Sequence, residues 1–225
     1  MQRAYFVTGT DTGVGKTLVS SALLHGYARQ GLTVIGMKPV VSGAVWRNGE
    51  VCWEDVMQLQ AASNVEMPLA MRNPYRFTAP IAPHIAARQA GERIEIAPLL
   101  QAFRQLQHAA EVVIVEGSGG FYTPLNATET LADLARQMDL PVILVVALRL
   151  GCINHALLTE QALISQGLRL AGWVANQRMA PQMLAMDDNL ADLQQRMAAP
   201  LLGVLPWQRN PGAETALLHL HMERL

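Results

Sequence analysis

A glycine-containing loop near the start of the chain carries residue types that bind phosphate. Residues 9–17 read GTDTGVGKT, and they stand between an apolar run and a helical pattern. Such a loop points backbone N–H groups at phosphate oxygens, and the dipole of the following helix favours the same negative charge. Lys16 can neutralise the β- and γ-phosphate oxygens, and the Thr17 hydroxyl can bind Mg²⁺. The loop therefore predicts a site for a nucleoside triphosphate.

The spacing within this loop is one residue longer than in the strict phosphate-loop pattern. Five residues separate Gly9 from Gly15, and Thr10 occupies the position where the strict pattern has glycine. The alternative is a strand-to-helix turn in which the glycines only relieve backbone strain. We favour phosphate binding because the Gly-Lys-Thr triplet lies between a strong strand pattern and a strong helix pattern. Asp11 stands where partition-type ATPases carry an additional lysine, which argues against that branch.

Three further charged residues follow apolar runs or open a helical pattern. Lys38 follows the second apolar run, so we expect it at the sheet edge that holds the phosphate loop, where a second cation stabilises phosphoryl transfer. Glu116 ends another apolar run before a Gly-Ser-Gly-Gly turn, which suits a Mg²⁺ ligand or a carboxylate that orients water. Asp55 opens a helical segment, and its spacing leaves a Mg²⁺ ligand and a helix N-cap as equal alternatives. The structural alternatives for Lys38 and Glu116 are a solvated surface lysine and a strand-capping carboxylate.

Alternating apolar runs and helical patterns supply the elements that must position these residues. Runs rich in Val, Ile and Leu predict buried strands at 4–8, 33–37, 112–115, 142–147, 170–175 and 201–205. Helical patterns fall at 16–30, 55–62, 99–108, 130–137, 154–166 and 182–197. Their alternation predicts an α/β fold: a doubly wound, mostly parallel sheet with helices on both faces, of the P-loop NTPase type. The loops at the strand carboxyl ends then share one edge.

The composition excludes several classes of protein. The chain has 225 residues, 51% hydrophobic and 16% charged, so it can bury a core and is not a disordered or charge-rich tail. Its net charge of −1 does not favour nucleic-acid binding. Cys52 and Cys152 form no CxxC motif, which indicates neither a zinc site nor a disulfide framework. Residues 1–9 lack a signal-peptide pattern, and the most apolar stretch, 140–150, is too short to cross a bilayer, so we expect a cytoplasmic protein without membrane contact.

The segment 42–83 is the least regular part of the chain. It holds the helical pattern at 55–62 and a turn signal at Asn73-Pro74. No repeat, low-complexity run or Pro/Gly-rich linker divides the sequence. We therefore interpret this segment as an elaborated connection over the active edge, within a single nucleotide-binding domain over residues 1–225.

Taken together, the ordered segments resemble the dethiobiotin synthetase family nearly from end to end. The matching segments are GTDTGVGKT at 9–17, KPVVSG at 38–43, Asp55, NPYRF at 73–77, APH at 82–84, EGSGG at 116–120, PVILVV at 141–146, LGCINHALLT at 150–159, GWVAN at 172–176 and APLLGVLPW at 199–207. LGCINHA and GWVAN are the most distinctive of them. The chain departs from the family at Gly13, where many members carry an acidic residue.

The resemblance implies an ATP-dependent ring closure. In that reaction 7,8-diaminononanoate, CO₂ and ATP give dethiobiotin, ADP and phosphate. One substrate amine takes up CO₂ as a carbamate, and the carbamate attacks the γ-phosphate to form a carbamic–phosphoric anhydride. The second amine then closes the ring and expels phosphate. The resemblance also implies a homodimer in which the two subunits share the site for the substrate carboxylate.

The resemblance assigns roles to individual residues. Catalysis would depend on Lys38, Lys16 and Thr12, and Mg²⁺ would be held by Thr17, Asp55 and Glu116. ATP would contact Gly13, Val14, Gly15, Lys16, Thr17, Asp55, Glu116, Gly117, Ser118, Gly119, Asn176, Leu205, Pro206 and Trp207. The substrate would contact Ser42, Gly151, Cys152, Ile153 and Asn154. Ordinary packing is the alternative for Trp207, and a helix N-cap is a compatible role for Asn154.

Three other classes share parts of this pattern. A partition-type switch ATPase has the same fold and loop, but it predicts the signature lysine and often a DNA-binding or membrane-binding tail. The synthetase half of an amidotransferase needs a glutaminase domain, for which we expect no room before Leu225. A small-molecule kinase would not need bicarbonate, so a bicarbonate-dependence test separates it.

Overall fold

The six predicted strands form one sheet in the computed structural model, which describes residues 3–47 and 49–225. In chain order the strands are β1 (Arg3–Gly9), β2 (Val34–Met37), β3 (Val40–Ser42), β4 (Val45–Arg47), β5 (Glu50–Cys52), β6 (Tyr75–Phe77), β7 (Val112–Glu116), β8 (Val142–Ala147), β9 (Leu170–Asn176) and β10 (Leu201–Leu205). The large sheet has the order β10-β9-β8-β1-β7-β2, and its neighbouring strands are parallel. The predicted fold class is confirmed.

Helices cover both faces of this sheet. They are α1 (Lys16–Arg29), α2 (Glu54–Ala62), α3 (Leu69–Arg72), α4 (Pro83–Gln89), α5 (Ile96–Ala109), α6 (Leu131–Met138), α7 (Cys152–Ser165), α8 (Met186–Arg196) and α9 (Ala213–Leu217), with a 3₁₀ turn at Met222–Arg224. One buried cluster joins the sheet to α4, α5 and α6, and a second joins it to α1 and α9. Helices α7 and α8 pack in a third cluster around Trp173. Among the described residues, none of the helices is long and apolar enough to cross a bilayer.

Three strands of the large sheet, β2, β7 and β8, are apolar along nearly their whole length because helices cover both faces of the sheet. Every residue of β2, β7 and β8 is buried, and Glu116 at the end of β7 is the one charged residue among them. Parallel strands covered on both faces lack polar alternation. For this reason the apolar runs alone were enough to predict the six strands to within one residue at each end.

The irregular segment 42–83 forms short elements that the sequence did not predict. Strands β3 and β6 pair in parallel, with Val40 opposite Tyr75 and Ser42 opposite Phe77, and β4 and β5 form an antiparallel hairpin. Strands of three residues carry too little pattern for prediction. The β3–β6 ribbon begins directly after Lys38 and Pro39, so it borders the carboxyl edge of the large sheet.

Several helix starts differ from the sequence interpretation. Helix α7 begins at Cys152, and its N-cap is Gly151 at φ 93°, so the interpretation of Asn154 as the N-cap is wrong. Helix α2 begins at Glu54 with Trp53 as its N-cap, so the N-cap alternative for Asp55 is also wrong. Helix α5 begins at Ile96 rather than 99, and α8 at Met186 rather than 182. None of these four starts has a capping side chain, which is the signal that sequence reasoning uses.

Candidate nucleotide and substrate site

The carboxyl ends of β1, β7 and β2 meet at one edge of the large sheet. These strands are neighbours, so the phosphate loop, Glu116 and Lys38 lie side by side. A cavity of about 900 Å³ opens at this edge. Of the residues predicted for the site, its lining includes Thr12, Gly13, Gly15, Lys16, Thr17, Lys38, Ser42, Asp55, Glu116, Ser118 and Gly119. It also includes residues that the sequence did not single out, among them Thr123, Arg178 and Pro211.

The phosphate loop has glycine at a position where no side chain fits. Gly15 has a φ of 100°, in the left-handed region, and a Cβ atom there would lie 2.1 Å from Nδ2 of Asn176. Asn176 is buried, and its Nδ2 donates a hydrogen bond to the carbonyl oxygen of Val14 at 2.8 Å. The end of β9 therefore supports the loop. One N–H and the amide oxygen of Asn176 take no part in this bond.

Lys16 is buried, and its ammonium group contacts two loops. Nζ donates to the carbonyl oxygens of Asp11 at 2.9 Å and of Gly119 at 2.6 Å. Burial, with repulsion from Lys38, lowers the pKa of Lys16 to about 8. A buried cation of this kind gains stabilisation from an anionic partner such as a phosphate group.

Lys38 is buried at the centre of a charge cluster, and it is the second of the two lysines in the chain. Its Nζ is 2.6 Å from Oε1 of Glu116 and 2.9 Å from Oδ2 of Asp55, and it donates to the carbonyl oxygen of Gly117 at 3.2 Å. Burial disfavours the ammonium form, but the two carboxylates outweigh burial and raise the pKa of Lys38 above its ordinary value. Burial likewise opposes ionisation of Asp55, yet Lys38 holds the pKa of that carboxyl below its ordinary value. The cluster therefore keeps Lys38 charged.

The acceptors around Thr17 outnumber its donors. Oγ1 lies 2.9 Å from Oε1 of Glu116 and 3.0 Å from Oδ1 of Asp55, yet a hydroxyl has only one hydrogen to donate. Oε2 of Glu116 is buried without a hydrogen-bond partner among the described residues. Oxygen ligands of this kind suit a hard cation such as Mg²⁺. Within residues 3–47 and 49–225, no group of three or more His, Cys, Asp or Glu could hold a metal, so the ion would also need phosphate or water oxygens.

Two arginines contact the phosphate loop and were missed by the sequence analysis. Arg149 forms an ion pair with Asp11, whose Oδ1 accepts the backbone N–H of Thr12 at 2.7 Å. That N–H and the Arg149 guanidinium hold the pKa of Asp11 below its ordinary value, although partial burial opposes them. Arg178 donates from Nε to the carbonyl oxygen of Gly13 at 3.1 Å. Arg149 lies two residues after the end of β8, and Arg178 lies two residues after the end of β9. Knowledge of the strand order would therefore have identified them.

Other residues predicted for the site lie outside the lining of this cavity. They are Val14, Gly117, Gly151, Cys152, Ile153, Asn154, Asn176, Leu205, Pro206 and Trp207. Leu205 ends β10, which lies at one edge of the large sheet, and residues 206–207 come directly after it. Residues 151–154 lie at the start of α7, after β8. Cys152 is buried, as expected for a small packed residue. A single chain therefore does not gather the start of α7 and Ser42 around one cavity.

A Gly-Lys-Thr loop between a buried strand and a helix, with charged side chains at the neighbouring strand ends, defines a P-loop nucleotide-binding protein. Residues 3–215 match a family described as an AAA domain. Within this class, the chain belongs to the ATP-dependent dethiobiotin synthetases, which confirms the resemblance found in the sequence. It is 54% identical over 204 residues to the ATP-dependent dethiobiotin synthetase BioD of Aromatoleum aromaticum, over 91% of this chain and 90% of that relative. The relative of the same name from Nitrosospira multiformis is 49% identical over 225 residues, covering 100% and 97%.

Solved structures share the fold at much lower identity. The septum site-determining protein MinD from Pyrococcus horikoshii, complexed with Mg-ADP, has a TM-score of 0.59 and 17% identity, over 100% of this chain and 89% of that chain. A ParA family ATPase from Chlorobium tepidum has a TM-score of 0.58 and 10% identity, over 98% and 91%. These likenesses extend to the fold alone. The partition-type alternative therefore has only distant structural similarity to support it.

Proposed function

We propose that this chain is an enzyme that closes 7,8-diaminononanoate with CO₂ into dethiobiotin and converts ATP to ADP and phosphate. Family membership supports this reaction. The observation that carries the chemistry is the buried Lys38 ammonium between Glu116 and Asp55, in the cavity that Lys16 also lines. A carbamate that attacks a polyphosphate brings two anions together, so the reaction needs cationic groups such as Lys38 and Lys16 beside them.

The reaction runs in three steps. One substrate amine adds to CO₂ and loses a proton to give a carbamate. A carbamate oxygen attacks the γ-phosphorus, the bond to ADP breaks, and a carbamic–phosphoric anhydride forms. The second amine attacks the carbonyl carbon, the bond to the phosphate oxygen breaks, and the ring closes as phosphate leaves. Lys16 and Lys38 stabilise the charge on the transferring group, with Thr12 beside it, and the rate comes mainly from positioning.

The residues around Thr17 fit a magnesium ion. Thr17, Asp55 and Glu116 would hold it, as the surplus of oxygen acceptors and the unpartnered Oε2 of Glu116 suggest. A bound Mg²⁺ neutralises charge on the β- and γ-phosphates.

We assign the rest of the nucleotide to the same sheet edge. Backbone N–H groups of residues 13–17 would bind the phosphates, opposite residues 116–119. The adenine would lie between Asn176 and residues 205–207 at the ends of β9 and β10. The amide oxygen and second N–H of Asn176 are the groups that match a base edge.

We infer a homodimer that completes the substrate site. Ser42 lines the cavity, whereas the start of α7 at residues 151–154 does not, so the partner subunit would bring this helix N-terminus to the substrate carboxylate. Leu150 and Leu158 support an interface here, since these two apolar residues are 92% and 62% exposed in the single chain. We propose that its partners are small molecules and that it acts in the cytoplasm without membrane contact. The net charge of −1 does not favour nucleic-acid binding.

Phosphate release from ATP and Mg²⁺ tests this function. We expect release only when both 7,8-diaminononanoate and bicarbonate are present, and we expect Lys38→Gln to abolish it. Release with the diamine alone would indicate a kinase. Release that is indifferent to both compounds would contradict the synthetase and favour a switch ATPase.

A further inference from the structure

The backbone of Lys38 is held by a segment with no role in the site described above. Lys38 lies where the chain leaves β2 for β3, and Pro39 has no N–H with which to continue the ladder. The carbonyl oxygen of Arg72 accepts the Lys38 N–H at 2.8 Å. Nδ2 of Asn73 donates to the Lys38 carbonyl oxygen at 2.5 Å. Both peptide groups of Lys38 are therefore fixed by the residues that precede β6.

The side-chain amide of Asn73 is committed to this backbone. Asn73 is completely buried, and its Nδ2 also lies 3.3 Å from the carbonyl oxygen of Tyr75. Turning the amide over would place its oxygen against two carbonyl oxygens, so its orientation is determined. Oδ1 has no hydrogen-bond partner among the described residues.

An amide with one unpaired buried oxygen contributes little to stability by itself. The desolvation penalty of Oδ1 offsets much of what the two bonds from Nδ2 contribute. The position is better explained by the atom that the amide holds, which is the carbonyl oxygen of the residue at the centre of the charge cluster.

We propose that Asn73 is a positioning residue for Lys38. It fixes the peptide group from which the Lys38 side chain reaches Glu116, Asp55 and the transferring phosphoryl group. The inference rests on the proposed role of Lys38. A shift of about 1 Å in a group that acts by position costs about 100-fold in rate, so loss of the amide is expected to affect the chemical step.

Asn64 offers a matched control at the other end of the same strand. Its Oδ1 accepts the Val34 N–H at 2.7 Å, and its Nδ2 donates to the Leu32 carbonyl oxygen at 2.9 Å. We expect Asn73→Ala to lower kcat at least about 30-fold while KM for ATP changes less than about threefold. Asn64→Ala is expected to keep kcat within about twofold of the parent, even if it lowers Tm by as much as Asn73→Ala does.

The outcomes separate positioning from folding. A kcat within about twofold of the parent in Asn73→Ala, or equal losses of kcat in both variants at equal Tm, overturns the inference. Asn73→Ser replaces Asn73→Ala if the latter does not fold, and failure of both to fold beside a folded Asn64→Ala also overturns it. Lys38→Gln in the same assay tests the premise. If Lys38→Gln is active, the proposed role of Lys38 is wrong, and the inference about Asn73 is wrong with it. If Lys38→Gln is inactive and Asn73→Ala is active, only the inference about Asn73 is wrong.

Discussion

Nζ of Lys38 lies 2.6 Å from Oε1 of Glu116, and the side chains are only 4% and 0% exposed. Removing the Glu116 charge would leave the buried Lys38 ammonium with Asp55 as its remaining charged partner. The same Oε1 accepts a hydrogen bond from Thr17 at 2.9 Å. A change at Glu116 is therefore expected to disturb the charge cluster and the end of the phosphate loop together.

Glu116→Gln tests this dependence. We expect it to lower the free energy of unfolding by about 3 kcal/mol, because Lys38 keeps only Asp55 as a charged partner. Phosphate release is expected to fall at least about 100-fold. Urea unfolding and the release assay measure the two effects. Glu160→Gln is the control. Among the described residues, this buried carboxylate accepts a hydrogen bond from the Ala198 N–H alone, at 3.1 Å, so we expect a change below about 1 kcal/mol. Equal losses in the two variants would contradict the argument.

Gly15→Ala and Gly13→Ala separate backbone strain from steric overlap in the phosphate loop. Both glycines have positive φ, at 100° and 73°, but a Cβ at Gly13 meets nothing within 4 Å. We expect Gly13→Ala to cost about 1 kcal/mol of stability and to retain ATP binding. Gly15→Ala would also displace Asn176, so we expect ATP affinity at least about tenfold weaker. Calorimetric titration with ATP measures both, and equal affinities would show that Asn176 yields to a methyl group.

The lowered pKa of Lys16 predicts proton uptake when nucleotide binds. The pKa of Lys16 is about 8 rather than 10.5, and a bound phosphate favours its charged form. ATP binding should therefore take up protons near pH 8 and weaken above it. Between about 8 and 10.5 the unfolded chain binds a proton that the folded chain does not, so the contribution of Lys16 to the free energy of unfolding increases with pH. Calorimetry in two buffers of different ionisation enthalpy measures the uptake, and none at pH 8 would refute this assignment.

We expect the ion pair between Arg149 and Asp11 to affect ATP binding by the phosphate loop more than it affects the stability of the fold. Its side chains are 44% and 48% exposed, and exposed pairs contribute less than about 1 kcal/mol. We expect Arg149→Ala to leave Tm nearly unchanged and to weaken ATP binding a few-fold, with the difference lost at high salt. Arg196→Ala, which breaks an exposed pair with Asp192 on α8, should change neither. A large fall in Tm for Arg149→Ala would indicate a structural role instead.

Local pattern was enough to place the phosphate loop, Lys38 and Glu116 at one edge of the sheet, because each lies at the end of a buried parallel strand or directly after it. The sequence leaves two roles open for Asp55, because its approach to Thr17 and Lys38 depends on how α2 returns over the sheet edge. Asn73, Arg149 and Arg178 contact distant backbone or loop groups, and only the order of the strands and the path of 42–83 bring these groups together. No periodicity in the sequence carries that information.

Both lysines of the chain lie in this one cavity, and their opposite pKa shifts make them chemically distinct. At pH 8 a substantial fraction of Lys16 is a free amine, whereas Lys38 stays an ammonium ion locked between carboxylates. An amine-directed acylating reagent that enters the cavity should thus label Lys16 while it spares Lys38. Protection of Lys16 by ATP would turn ordinary lysine chemistry into a direct report of nucleotide occupancy, with no engineered label.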